Sequence, residues 1–270
     1  MGIYMEFKRF TSDYTKNGYF VIESAFSEID IIEMRERLES IVSADVVLSG
    51  RRFQTDTESG LYEDVEKIEL GYRGPQSRYR KISDLEYDEI FLSKLKSNWI
   101  KGLCEHFLGP QTSIMRVTMM NKPIGGGTVL PWHQDVAKHW PTSVQPELVI
   151  WFPLDHSDDQ SGALQVIPHS HKHGMIADGH MLPSEVEHIY APQSEIKTIV
   201  INPGDVLVFN PALLHRSGIN HSNNQRRAIN VVLMPGKVFH TRHKVYYPVL
   251  FGEDELVPNE VSKLTSIPNI

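Results

Sequence analysis

Three side chains that can bind a metal ion or transfer a proton lie within the segment PWHQDVAKHW (131–140), namely His133, Asp135 and His139. In an extended strand, residues two positions apart project from the same face. His133 and Asp135 would therefore direct an imidazole nitrogen and a carboxylate oxygen to one point. This pair suits a divalent first-row metal ion. A His-x-Asp pattern also arises by chance, so an acid–base pair and an ordinary polar loop are the alternatives.

A third ligand would turn this pair into a facial triad, in which two histidines and one carboxylate leave three metal positions open. We predict His215 as that ligand, because it follows an apolar strand and precedes a turn in NPALLHRSGIN. Non-haem Fe(II) oxygenases use this ligand set.

A 2-oxo acid such as 2-oxoglutarate would chelate the ion at two open positions, and its distal carboxylate would then need a buried cation. Arg226 and Arg227 open the strand RRAINVVLM, and one of them can face inward. Ser217 lies two positions after His215, on the same face, where its hydroxyl can donate to that carboxylate. The alternative is that the two arginines cap a strand at the surface.

Two helices are predicted before the strand-rich part of the chain. The segment 27–44 has apolar residues at helical spacing, and Ser27 followed by Asp30 resembles a loose N-cap box. The segment 88–109 predicts a second, amphipathic helix that ends at a Gly-Pro pair. The candidate ligands all follow these two helices.

From about residue 112 the chain contains short β-branched or aromatic segments bounded by turn-forming residues: TSIMRVTMMNK, ELVIWFPL, GALQVIP, IKTIVI, DVLVFN and RAINVVLM. The segment NPGD (202–205) predicts a tight turn between two of them. This pattern predicts a β-sandwich, barrel or jelly roll. Segments 45–87 and 168–195 are not assigned to strands, and each is either a substrate lid or a surface excursion.

The sequence resembles the phytanoyl-CoA dioxygenase family of Fe(II)/2-oxoglutarate-dependent oxygenases over most of residues 14–234. The shared motifs are YTKNGYFVIESAFSEIDIIEMRERL, MNKP, WHQD, WFPLDHSDDQSGALQVIPHSHK, NPGDVLVFNPALLHRSGIN and RRAINVVLM, in the family's order. The resemblance implies a mainly β fold with N-terminal helices, a double-stranded β-helix of the jelly-roll, cupin-like kind. We expect one domain over 1–270, with a helical part to about 110, a core over about 111–240 and an extension over 241–270.

The resemblance implies that His133, Asp135 and His215 bind Fe(II), with 2-oxoglutarate as cosubstrate and O2 as oxidant. Related halogenases carry a small residue at the carboxylate position, where chloride takes the vacated site. An aspartate at position 135 therefore favours oxygenation.

The resemblance also implies which residues contact the cosubstrate. It selects Arg226 over Arg227, because the family's cosubstrate arginine lies eleven positions after the distal histidine. Ser217 is its helper, and Trp151 falls where family members place a tryptophan beside the cosubstrate. Gln134 matches a common family residue, which we group with the cosubstrate contacts while leaving its role open.

Substrate contacts are expected near the rim of this site. His139 and Trp140 close the opening motif, and a basic cluster lies in the region of the expected lid. That cluster comprises Arg73, Arg78, Arg80 and Lys81. It is either a solvated surface or the contact for an anionic substrate group, with Arg78 and Arg80 as the candidate residues.

The run HSHKHG has the densest set of possible metal ligands in the chain, namely His169, His171 and His173. It falls where family members carry a similar Pro-x-Ser-His turn. We therefore interpret it as a turn and not as a second metal site.

Composition excludes several other functions. The net charge of −7 and an isoelectric point of about 6.0 argue against a nucleic-acid partner. No segment approaches the roughly 18 consecutive apolar residues that a membrane span needs. The single cysteine, Cys104, excludes an internal disulfide framework and suits a reducing cytoplasm. We expect a cytoplasmic monomer or homodimer whose partner is a small-molecule substrate.

The predicted activity is hydroxylation of an unactivated C–H bond of a small soluble metabolite, with release of succinate and CO2. Desaturation, cyclisation or epoxidation by the same iron centre is the alternative within the enzyme class. A non-catalytic jelly-roll module that binds a ligand is the alternative from another class. The intact set of His133, Asp135, His215 and Arg226 argues against that module.

Overall fold

A computed structural model of the chain describes residues 2–46, 50–71, 74–76 and 78–263. Its α-helices are α1 (Gly2–Asn17), α2 (Glu28–Val42), α3 (Glu89–Leu95), α4 (Asn98–Phe107) and α5 (Ser184–Tyr190). Its strands before the metal-binding motif are β1 (Tyr19–Ile22), β2 (Arg52–Thr55), β3 (Glu69–Leu70), β4 (Tyr79–Ser83) and β5 (Thr112–Lys122). The next are β6 (Leu130–His133), β7 (Leu148–Pro153), β8 (Leu164–Val166), β9 (Lys197–Thr198) and β10 (Val206–Phe209). The last are β11 (His215–Ser217), β12 (Arg226–Pro235), β13 (Phe239–His240), β14 (Val245–Tyr246) and β15 (Val249–Phe251).

These strands form two antiparallel sheets and a hairpin. The large sheet has the order β1-β10-β7-β12-β5-β4-β2-β3, and β15 also pairs with β5. The small sheet has the order β6-β11-β8-β9, while β13 pairs with β14. The N-terminal part of the chain thus supplies strands at both edges of the large sheet as well as helices.

Alternation along β7 shows how the core is divided between the two faces of the large sheet. Val149 and Trp151 belong to an apolar cluster that also contains residues of the small sheet, such as Leu164. Ile150 and Phe152 belong to a second cluster, which packs against the helices. Because both faces of β7 are covered, the strand is apolar throughout and not alternating. The predicted mainly β jelly roll with N-terminal helices is confirmed.

Most local predictions from the sequence are confirmed. Helix α2 begins after Ser27, whose hydroxyl accepts from the amide of Asp30, while the Asp30 carboxylate accepts from the amide of Ser27. The predicted β segments all contain strands, and the Asp205 amide closes the NPGD turn onto the Asn202 carbonyl.

The single helix predicted over 88–109 is wrong in its extent. The chain leaves the helical conformation between α3 and α4, where Ser97 has extended dihedral angles and occupies the N-cap position of α4. Asp88 caps α3 by accepting from the amides of Ile90 and Phe91. Two N-cap residues within one apolar pattern therefore give two short helices, because each provides a separate helix start.

Both unassigned segments contain regular structure. The described part of 45–87 supplies β2, β3 and β4 to the large sheet. The segment 168–195 contains α5 and contacts the end of β6, where Leu182 donates to the Trp132 carbonyl. Among the described residues, no helix is both long enough and apolar enough to cross a membrane.

Candidate metal centre and cosubstrate cavity

The three predicted metal ligands meet at one end of the small sheet. His133 ends β6 and is paired in register with His215, which begins β11. Asp135 lies beyond the end of β6, where its amide donates to the Pro211 carbonyl. One ligand atom from each of the three lies within 4.8 Å of the others, and all three side chains are buried. Among the described residues, these three form the group of histidine and carboxylate side chains that is placed to hold a metal ion.

Hydrogen bonds fix which nitrogen of each histidine is available to a metal. The Nδ1 atom of His133 lies 2.9 Å from the Pro131 carbonyl oxygen, and that of His215 lies 2.9 Å from the Leu213 carbonyl oxygen. Because a carbonyl oxygen can only accept, Nδ1 carries the proton in each neutral ring and Nε2 keeps its lone pair. Burial lowers the pKa of both histidines, which favours the neutral form that binds metals.

The carboxylate of Asp135 has one occupied oxygen and one free oxygen. Arg116, on β5, donates to Oδ1, whereas Oδ2 is buried without a hydrogen-bond partner and lies 3.8 Å from Nε2 of His215. Burial alone would raise the pKa of Asp135, but Arg116 and the two histidines lower it below its usual value. The free oxygen and the two free Nε2 atoms are one carboxylate and two imidazole ligands aimed at a common point. This donor set fits an iron ion.

A cavity of about 270 Å³ extends from these ligands along the inner face of the large sheet. Arg226 lines it, buried, with one hydrogen bond to the Gly162 carbonyl at 2.8 Å and with Nε unpartnered. Its guanidinium carbon lies 5.8 Å from the centre of the Trp151 ring. Ser217 also lines the cavity, and burial lowers the pKa of Arg226 to about 10, at which it stays charged at neutral pH.

The neighbouring Arg227 faces the opposite side of β12. It makes two hydrogen bonds to the carboxylate of Asp155 and an ion pair with Glu39 of α2. Side chains alternate between the faces of a strand, so only one arginine of the pair can enter the cavity.

Residues 14–228 match the family described as phytanoyl-CoA dioxygenase (PhyH). The chain belongs to the phytanoyl-CoA dioxygenase family, a group of Fe(II)/2-oxoglutarate-dependent oxygenases. It is 28% identical over 231 residues to the peroxisomal phytanoyl-CoA dioxygenase of Rattus norvegicus, covering 80% of this chain and 65% of that protein. It is 23% identical over 277 residues to the L-proline trans-4-hydroxylase of Streptomyces griseoviridis, covering 93% of this chain and 95% of that protein.

Two solved structures illustrate the fold that this phytanoyl-CoA dioxygenase family member shares. The epimerase SnoN in complex with Fe³⁺, α-ketoglutarate and nogalamycin RO is 14% identical with a TM-score of 0.67, covering 87% of this chain and 86% of that one. EctD from S. alaskensis with 2-oxoglutarate and 5-hydroxyectoine is 18% identical with a TM-score of 0.64, covering 93% of this chain and 85% of that one.

The structure places Gln134 differently from the other residues grouped with the cosubstrate. Its side chain points away from the cavity and donates to the carbonyls of Gly174 and Ala212, while accepting from the amide of Ile176. Gln134 therefore fastens the loop after residue 173 next to the metal ligands. All three of these hydrogen bonds go to backbone groups, and the grouping of Gln134 with the cosubstrate contacts stays a prediction.

The four candidate substrate contacts separate into two pairs. Arg80 and Trp140 line the cavity. His139 is exposed and lies outside the lining, because the chain turns after β6 and the strand does not continue to that position. Arg78 lies on the outer surface, where it faces the exposed Glu58. Arg73, in the same basic cluster, lies outside the described residues.

The HSHKHG run forms one short 3-10 helical turn, Ser170–His173, at the place where the sequence predicted a turn. Nδ1 of His169 and Nε2 of His171 lie beside the carbonyl oxygens of Lys16 and Thr15 in α1, and the ring of His173 packs against Tyr190. The rings do not converge on a point.

The charged or imidazole residues of the cavity lining that were not named from the sequence are Arg116, Lys122 and His180, while Lys81 was named only as a member of the basic cluster. A signal for two of them was present. Arg116 and Lys122 are the charged residues of β5, a strand that is mostly buried, and a charge at such a position must face a polar site. His180 gave no such signal, since its loop position carries no periodic pattern.

Proposed function

We propose that the protein is an Fe(II)- and 2-oxoglutarate-dependent dioxygenase that hydroxylates a C–H bond of a small metabolite and releases succinate and CO2. One observation carries the proposal. A triad of two histidines and one carboxylate, with its metal-facing atoms free, shares a small cavity with a buried arginine that has no anionic partner among the described residues. Fe(II), when bound, supplies the open positions for 2-oxoglutarate and O2 and couples decarboxylation of the cosubstrate to oxidation of the substrate.

His133, Asp135 and His215 would hold the ion. The backbone carbonyls behind both imidazoles orient the rings, as outer partners of metal-bound histidines do. Arg116 occupies Oδ1 of Asp135, so this carboxylate offers the single oxygen Oδ2 and leaves the remaining positions to other ligands.

Arg226, Ser217 and Trp151 would hold the cosubstrate. The planar guanidinium of Arg226 binds a carboxylate through two parallel hydrogen bonds, and the hydroxyl of Ser217 donates a third. Trp151 stands beside the guanidinium and closes that wall of the cavity against water. Because Arg226 is buried before any ligand arrives, its attraction to a carboxylate is only weakly screened.

The dimensions of the cavity support a small substrate. Its volume of about 270 Å³ lies below the range of roughly 300–1,000 Å³ typical of pockets for drug-sized ligands, and it must also accept the cosubstrate. Met120, Leu130 and Leu164 line it and exclude water from the reacting carbon. Similarity to the L-proline trans-4-hydroxylase over nearly the whole length of both chains supports the same size class.

Anaerobic titration with Fe(II) and 2-oxoglutarate tests the proposal. We expect the weak visible metal-to-ligand charge-transfer band in the native protein and its loss in His215→Ala. The matched control is His221→Ala, an exposed histidine of the same segment outside the cavity lining, which should keep the band. Absence of the band in the native protein would contradict the proposed function.

A further inference from the structure

A fourth histidine lies beside the metal ligands without belonging to their group. His180 lines the cavity, and the centre of its ring lies 6.2 Å from the centre of the His133 ring. The ligand atoms that lie within 4.8 Å of one another belong to His133, Asp135 and His215, and not to His180. The ring nitrogens of His180 make no hydrogen bond to any residue that the structure describes. Because an imidazole ring always carries at least one N–H donor, His180 can donate to a bound small molecule.

The segment 174–182 fixes the position of His180 by adding an extended stretch to the outer edge of β6. The amide of Gln134 donates to the His180 carbonyl at 2.8 Å, and Met181 forms an antiparallel bridge with His133. Strand β6 is the edge strand of the small sheet, so it has β11 on one side and this stretch on the other. The strand that carries a metal ligand therefore also positions His180.

Arg116 offers a second unused donor in the same part of the cavity. One of its terminal nitrogens donates to Oδ1 of Asp135, while its other guanidinium nitrogens make no hydrogen bond to a described residue. The guanidinium lies 5.2 Å from the centre of the Trp140 ring, and the centre of that ring lies 6.2 Å from that of His180. Arg116, Trp140 and His180 therefore form one contiguous group, which we call the rim subsite.

The rim subsite is distant along the sheet from the arginine assigned to the cosubstrate. Arg226 pairs in register with Lys122, whereas Arg116 pairs with Val232. The six residues of extended strand from Arg116 to Lys122 rise about 3.3 Å each, or roughly 20 Å in all. A ligand at the rim subsite would thus contact the metal site from the side of Asp135 and leave Arg226 to the cosubstrate.

The charges around the metal site favour an anion at the rim subsite. Asp135 is the single carboxylate among the described residues that line the cavity. Once this carboxylate binds a metal ion, its negative charge is shared between the ion and Arg116, so Arg116 is only partly neutralised. A cation would be repelled by the permanent charge of Arg116. An apolar group would cover the free donors without replacing their hydrogen bonds to water.

We propose that the substrate is a small carboxylic acid whose carboxylate binds at the rim subsite, between Arg116 and His180 and against the ring of Trp140. The planar guanidinium matches the two oxygens of a carboxylate, and the imidazole N–H adds a further donor. The remainder of the substrate lies toward the metal ligands. This inference rests on the proposed function, because the rim subsite opens into the cavity that holds those ligands.

The competing possibility is that His180 only packs against Trp140 and His133. His180→Phe keeps an aromatic ring and removes both nitrogens, so it separates packing from hydrogen bonding. His180→Gln keeps a side-chain N–H donor without the ring. We vary His180 and not Arg116, because a change at Arg116 also removes the hydrogen-bond partner of Asp135.

The test uses anaerobic protein loaded with Fe(II) and saturating 2-oxoglutarate, with acetate, acetamide and methylammonium as separate probes. NMR measures the relaxation rate of the methyl protons of each probe, which the unpaired electrons of Fe(II) increase when the probe binds nearby. Protein loaded with Zn(II), a d¹⁰ ion without unpaired electrons, gives the background rate. We expect acetate to show the increase, and acetamide and methylammonium not to show it.

His180→Phe should weaken acetate binding at least about tenfold, since it removes a hydrogen bond to a charged group. It should keep the charge-transfer band of bound 2-oxoglutarate. His180→Gln should bind acetate more tightly than His180→Phe does. The matched control His188→Phe makes the same change at an exposed position of the segment 168–195 and should bind acetate like the native protein.

The inference is overturned if acetate shows no increase with the native protein, if acetamide binds as tightly as acetate, or if His180→Phe binds acetate normally. A decrease of the charge-transfer band on addition of acetate would also overturn it, because acetate would then be displacing 2-oxoglutarate. Failure of the proposed function is a separate result, since the native protein would then lack the charge-transfer band before any probe is added.

Discussion

Replacing Arg226 by methionine should change stability and cosubstrate affinity in opposite directions. In the free protein this guanidinium is 2% exposed, has one hydrogen bond to a backbone carbonyl, and has an unpartnered Nε. Burial lowers its pKa to about 10, so it is still charged at pH 7 and the folded state is destabilised there. At about 1.4 kcal/mol for each tenfold change, this lowering corresponds to roughly 3 kcal/mol.

The expected net effect on folding is a modest gain. Arg226→Met removes the buried charge while keeping an apolar side chain of comparable length, but it leaves the Gly162 carbonyl without its donor, at a cost of about 1–2 kcal/mol. We therefore expect Arg226→Met to unfold with a free energy about 1–2 kcal/mol higher than that of the native protein. The loss of two charge-assisted hydrogen bonds, at roughly 1.5 kcal/mol or more each, should weaken 2-oxoglutarate binding at least about a hundredfold.

Urea unfolding with and without 2-oxoglutarate, on Fe(II)-loaded protein kept anaerobic, measures both effects. Native protein should gain about 2.7 kcal/mol from 2-oxoglutarate at a hundred times its dissociation constant, and Arg226→Met almost none at the same concentration. The adjacent Arg227→Met is the control, because it breaks the partly buried pair with Asp155 and should lose stability while keeping the cosubstrate effect. An Arg226→Met variant that is less stable than the native protein without cosubstrate, or that gains as much stability from the cosubstrate, would contradict this expectation.

Three further predictions concern groups around the site. The pKa of Glu86 is raised to about 8 by burial and by Asp84, so the folded protein holds a proton that the unfolded chain releases near pH 4.5. The contribution of this proton to the free energy of unfolding is fully present below pH 4.5 and is lost as the pH rises through 8. The loss is at most about 1.4 kcal/mol per pH unit. Urea unfolding across this range should show the slope in native protein and a flatter one in Glu86→Gln, and equal slopes would contradict the assignment. Gln134→Leu should lose about 2–4 kcal/mol, because three backbone groups lose their partner, and should speed hydrogen exchange at Ile176. The control Gln193→Leu, at an exposed position, should change neither the stability nor the hydrogen exchange at Ile176. Arg116→Gln should weaken Fe(II) binding about 10- to 100-fold in a chelator competition, whereas an unchanged affinity would show that Asp135 needs no partner at Oδ1.

The parts of the site that sequence could predict are those set by a regular repeat. Arg226 and Arg227 must face opposite sides of β12, so the two arginines cannot both reach a cosubstrate. The strand segments were predictable because their apolar residues are bounded by turn residues. The break between α3 and α4 was missed, because the apolar pattern runs through Ser97 and hides a second helix start.

Which basic residues of β4 face the cavity could not be predicted from the sequence, for a different reason. Arg78, Arg80 and Lys81 are close in sequence, yet only the last two face the cavity. Which of them turn inward depends on how β4 pairs with β5 and on the register shift between β2 and β4. Such pairings join residues distant in the chain, and no local pattern specifies them. His180 reaches the cavity through the same kind of long-range contact, in which the Gln134 amide donates to its carbonyl oxygen.

The pairing of His133 with His215 links metal binding to the fraction of the protein that is folded. The small sheet is built from strands of two to four residues, and its two histidine-bearing strands meet only after a long excursion of the chain. An ion bound by both histidines cross-links the two strands. The unfolded chain does not hold the two histidines together, so it lacks this binding site. Binding free energy at such a site adds directly to folding free energy. Without the ion a larger fraction of the protein would be unfolded, and proteolysis of that fraction would lower the amount of intact protein.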